Sequence, residues 1–89
     1  MEMKLIRDDL KGKVYEAAGL KIFLRNRESV SGDNSENAAE LIYLLKGMAE
    51  VTTGDRIYKI QGPAKIEFPA RTYHKIKALT DIVFVLLDS

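Results

Sequence analysis

Of the side chains in this 89-residue sequence that could move protons or hold cations, two stand out because they fall on apolar strand faces. Glu40 heads "ELIYLLKG" and shares a face with Ile42 and Leu44. His74 is the single histidine; it opens "HKIKAL" and shares a face with Ile76 and Ala78. A lone carboxylate turned inward is costly unless it is paired, protonated or bound to a metal. An inward His and an inward Glu from different strands can hydrogen-bond each other, or share a divalent cation as neutral imidazole and carboxylate. The plainer alternative leaves Glu40 in water at the mouth of its strand and His74 as a satisfied core histidine.

Other chemistries are thinly represented. The chain has no cysteine, which excludes disulfides, thiolate metal sites and a thiol nucleophile. It carries no phosphate-binding glycine loop and no nucleophile elbow. A formal net charge of +1 argues against nucleic acid or anionic membrane as a partner. No apolar run approaches the roughly 20 residues that span a bilayer. The opening "MEMKLIRDD" lacks the apolar core of a signal peptide, so a cytoplasmic protein is expected.

The elements that would position Glu40 and His74 read as strands. Glycines 12, 19, 32, 47, 54 and 62 punctuate the chain at short intervals. Between them lie "LKIFLR", "LIYLLK", "MAEVT", "RIYKI", "AKIEF", "YHKIKAL" and "DIVFVLL", while "VSGDNSEN" reads as a polar loop. Many short strands between turn residues describe a sandwich or barrel. The best helical candidate, Ser35 to Lys46, ranks below a strand because Gly47 closes its apolar run at strand length. In "AKIEF", Ala64, Ile66 and Phe68 alternate with Lys65 and Glu67, the pattern of a half-buried strand. "LIYLL" and "IVFVLL" are apolar on both faces. Their outer faces need cover, from a second sheet or a second subunit. With only 89 residues to build from, a homodimer is expected. Tyr43, Tyr58 and Tyr73 read as core or interface residues rather than stacking platforms.

The strand order and two half-motifs resemble a cupin, specifically a small single-domain cupin. The first cupin motif has the form G(X)5HXH(X)3,4E(X)6G, and "ELIYLLKG" matches its tail with Glu40 and Gly47 in register. The second has the form G(X)5PXG(X)2H(X)3N, and "PARTYH" matches its proline and histidine at Pro69 and His74. The departures are specific. The two histidines of the first motif fall on Asn34 and Glu36, or in the longer register on Asp33 and Ser35. Arg71 stands in place of the second motif's glycine and Ala78 in place of its asparagine.

The resemblance implies an all-β, jelly-roll-like double-stranded β-barrel: one domain over residues 1–89, with its core at about 20–87 and residues 1–19 as an N-terminal strand or extension. It also implies a pocket at the barrel mouth lined by Asn34, Glu36, Glu40, Ile42, Arg71 and His74. No cofactor is assured. A divalent transition metal (Mn, Fe, Ni or Zn) would draw on His74, Glu40 and Glu36, with Asn34 as a further oxygen donor. Arg71 flanks the mouth, where it would meet an anionic ligand. Three functions follow as expectations. The first is a small-molecule-binding module with a weakened or absent metal site. The second is a metal-dependent enzyme, isomerase- or oxygenase-like, using Glu36, Glu40 and His74. The third is a structural or regulatory homodimer. The fold alone names no substrate.

Overall fold

Alternating apolar residues between glycine turns produce ten antiparallel strands; among the residues that this computed structural model describes, 2–34 and 38–87, there is no helix. They are β1 (Lys4–Asp9), β2 (Gly12–Ala17), β3 (Leu20–Arg25), β4 (Val30–Asn34), β5 (Glu40–Lys46), β6 (Met48–Thr53), β7 (Arg56–Gln61), β8 (Ala64–Phe68), β9 (His74–Ala78) and β10 (Ile82–Leu87). Six form one sheet in the order β1-β2-β3-β10-β5-β8, and four form another in the order β4-β9-β6-β7. The architecture is the expected all-β jelly-roll type.

The core lies between the two sheets. Ile42 and Leu44 of β5, Ile66 and Phe68 of β8, and Phe84 of β10 face Val51 and Ile76 of the smaller sheet, and all seven are buried. Period-2 alternation makes this possible, since every second side chain of a strand reaches the same layer. β9 shows it plainly: His74, Ile76 and Ala78 are buried while Lys75 and Lys77 are partly exposed.

Gly47 closes β5 at a φ of +96°, and a Cβ there would collide with the carbonyl oxygen of Asp81. Only glycine takes this conformation without strain and admits that approach. The turn sends the chain from one sheet into the other, from β5 to β6.

One segment departs from the sequence reading. "VSGDN", read as loop, is β4; it pairs with β9 through Val30–Lys77, Ser31–Ile76 and Asn34–His74, with an irregular register between Ser31 and Asn34. Backbone pairing to an existing strand supplies what the polar side chains do not. The N-terminal segment is a hairpin, β1 with β2, that extends the large sheet and buries Val14.

The outer face of the large sheet is apolar over five of its six strands along one row, which ends on a lysine. Register places Leu5, Tyr15, Ile22, Val85, Tyr43 and Lys65 in one row over all six strands. On or beside this row Leu5, Leu24, Tyr43 and Leu45 are exposed. Tyr43, Tyr58 and Tyr73 are all exposed, so none is a core residue.

Candidate functional site

Glu40 is the first residue of β5 and His74 the first of β9, so the two strands begin at the same end of the sandwich, in different sheets. Backbone pairing fixes both. Glu40 stands opposite Phe68, and His74 stands between Asn34 and Thr53. The side chains meet between the sheets, with His74 Nε2 at 2.7 Å from Glu40 Oε1. The histidine side chain is 3% exposed and the glutamate 20%. Glu40 is therefore a rim residue, paired on its inner side.

The imidazole is held on every side. Its Nδ1 lies 3.3 Å from the carbonyl oxygen of Thr72, so both ring nitrogens face oxygen atoms. The ring stacks on Phe68, with centroids 4.4 Å apart and planes inclined by 20°. On the β4 side Gly32 has a φ of +76°, and a Cβ there would stand 3.0 Å from His74 Cδ2. The missing side chain lets the β4 backbone lie close to the imidazole.

Behind the pair is a cavity of about 80 Å³, walled by Phe23, Ile42, Ile76, Phe84 and Leu86, with Ser31 and Gly32 beside the ring. Phe23 and Phe84 stack at 4.6 Å and make a flat wall. At roughly 30 Å³ per water molecule, the space holds two or three waters or a molecule of a few heavy atoms. Outside it a wider groove of about 360 Å³ runs past Ala39, Leu41, Glu67, Phe68 and Pro69. Glu40 lines both spaces and stands between them.

The expected site residues divide. Glu40, Ile42 and His74 line the inner cavity. Asn34 is placed by its backbone pairing with His74. Glu36 lies outside the described residues. Arg71 is exposed in the connection between β8 and β9 and lines neither space; its φ is +53°, so it holds a left-handed conformation at the place where the second cupin motif has glycine. Sequence reading missed Ser31, Gly32, Phe23 and Phe84. The phenylalanines lie in the apolar segments "LKIFLR" and "DIVFVLL", whose pattern does not single them out, and nothing local marks Ser31 or Gly32.

A metal ion is a natural guest for imidazole and carboxylate, so the donor set bears on it. Among the described residues no group of three His, Cys, Asp or Glu converges on one point. The described donors at this mouth are His74 and Glu40, one short of the three protein ligands of an open catalytic metal site. These two donors alone do not make a complete metal centre.

No sequence-family model matches the chain, and no curated protein matches it by sequence. Solved structures do match. A Bacillus subtilis oxalate decarboxylase, OxdC, superposes with a TM-score of 0.80 at 21% identity, over 96% of this chain and 27% of its own. The capsular polysaccharide assembling protein CapF of Staphylococcus aureus gives 0.77 at 14% identity, over 96% of this chain and 29% of its own. A cupin-2 domain from Rhodospirillum rubrum gives 0.74 at 16% identity, over 94% of this chain and 67% of its own. The chain thus spans less than a third of the length of CapF or the decarboxylase. Identities this low carry the fold and nothing finer, and the chain is a small cupin-fold domain.

Proposed function

We propose that the chain is a small-molecule-binding module, with the His74–Glu40 pair as the polar end of its pocket. One observation carries this reading: a buried imidazole in contact with a rim carboxylate, Nε2 to Oε1 at 2.7 Å, at the head of an otherwise apolar cavity. Few convergent polar groups in an apolar concavity are the usual make-up of a ligand site. The ligand is short, with one polar end for His74 and a small apolar body. Its metal site is weakened relative to the full cupin pattern, because His74 and Glu40 engage each other and the two motif histidines are replaced by Asn34 and Glu36. Amide spectra of tag-free protein, titrated with short carboxylic acids and alcohols, test the reading. Saturable shifts at Ser31, Gly32, Ile76 and Phe84 are expected; a spectrum unmoved at all four overturns it.

A second reading is a metal-dependent enzyme using Glu36, Glu40 and His74. It draws on the fold neighbours, which include a Bacillus subtilis oxalate decarboxylase with Mn(II) centres. In that reading the imidazole and carboxylate turn from each other to a shared ion. Metal analysis of the same preparation separates the two, since a stoichiometric transition metal favours the enzyme. In either case we propose a homodimer built on the outer face of the large sheet, where Ile22, Val85 and Tyr43 lie side by side.

A further inference from the structure

The other end of the sandwich holds a second unusual side chain. Register puts Leu20, Leu87 and Leu41 beside the Glu40 end, and Arg25 beside Ile82 at the opposite end. Arg25 is 3% exposed. Its Nε and Nη1 are buried without a hydrogen-bond partner. Its nearest carboxylate oxygen, Asp9 Oδ1, is 3.7 Å from Nη1, too far for a hydrogen bond, and already accepts one from the Lys11 amide at 2.9 Å. The guanidinium lies 5.1 Å from the Phe23 ring centroid, a contact that favours the cation but satisfies no N–H.

Buried donors are normally hydrogen-bonded, and these two nitrogens call for an account. Burial pushes the Arg25 guanidinium below its ordinary value; Asp9 opposes this and the nearby charge of Arg7 adds to it. Asp9 thus offsets only part of the cost of burying the cation. Arg25 also lines a cavity of about 200 Å³ together with Lys46, Asp81, Ile82 and Val83. Asp81 accepts the Arg27 amide at Oδ1, 2.8 Å away, and makes no hydrogen bond to Arg25 Nε or Nη1.

We propose that Arg25 and Lys46 form an oxyanion site at this end of the domain, taking the carboxylate or phosphate group of a small ligand whose apolar part rests on Ile82 and Val83. A planar guanidinium matches the two oxygens of such a group, and an ammonium adds a second, more mobile donor. The site is separate from the His74 cavity.

The test follows the Arg25 Nε–H resonance of the parent while inorganic phosphate or acetate is added at constant ionic strength, with chloride as the control. A saturable shift with either oxyanion, and none with chloride, is expected. Saturation by phosphate alone assigns a phosphoryl ligand, and by acetate alone a carboxylate. Lys46→Ala, at an exposed position, should weaken binding about two- to fivefold, the scale of a solvent-accessible ion pair. Arg25→Met should lose the rise in unfolding temperature that a ligand bound to the folded state confers. If Arg25→Met does not fold, the parent titration and Lys46→Ala decide. An Nε–H unmoved by both oxyanions, or moved equally by chloride, overturns the proposal.

Discussion

His74 Nε2 and Glu40 Oε1, 2.7 Å apart, join the two sheets of the sandwich: the histidine belongs to the four-stranded sheet and the glutamate to the six-stranded one. The contact is thus both a tie across the core and the polar end of a cavity. Its two roles separate by mutation.

His74→Ala removes a buried ring stacked on Phe68 and takes from Glu40 its contact with Nε2. A loss of about 2–4 kcal/mol is expected, from the void and the lost contact to the carboxylate together. Glu40→Gln keeps an acceptor oxygen beside Nε2 and should cost only about 1 kcal/mol. Urea unfolding of both variants checks the order, and equal losses would contradict the pairing.

Gly32→Ala places a methyl group 3.0 Å from His74 Cδ2 and forces an L-residue to a φ of +76°. The backbone strain alone is about 1–2 kcal/mol. For a domain of this size the unfolding midpoint should fall by at least about 4–8 °C. Because the new methyl also presses on the imidazole, His74 ring resonances should shift more than those of Phe84, which a two-dimensional aromatic spectrum would show.

Arg71 holds a φ of +53° with its side chain exposed. Arg71→Gly removes strain of about 1–2 kcal/mol and adds about 0.5–1 kcal/mol of chain entropy to the unfolded state. A net gain of about 0.5–1 kcal/mol is expected in denaturant unfolding. A loss would mean that the arginine side chain contributes more than its backbone costs.

Val85 sits at the centre of the apolar outer row, between Ile22 and Tyr43. Val85→Glu buries a charge if that face is an interface and leaves the monomer fold intact if it is free. Sedimentation should give twice the chain mass for the parent and a folded monomer for the variant. A parent that sediments as a monomer would refute the dimer.

How much was legible beforehand differs from residue to residue. The strand through "ELIYLLK" was readable because the length of the apolar run and its closing glycine are local signals, and the inward turn of Glu40 and His74 followed from every-second-residue parity. β4 was not readable. Its polar residues carry no period, and its pairing comes from β9, about forty residues away in the chain. The fit of Gly32 against His74 was hidden for the same reason, since it arises from a contact between strands and not from any spacing within one.

By itself, then, the sequence determined the class of the fold, the faces of the strands whose residues alternate, and the inward turn of Glu40 and His74, because alternation repeats along a strand every second residue. The tertiary structure decided the rest. It joined Glu40 to His74, placed the Phe23–Phe84 wall behind them, and left Arg25 buried with two unpartnered N–H groups at the far end. Those relationships depend on how two sheets pack and which strands neighbour one another, and local periodicity carries no information about either.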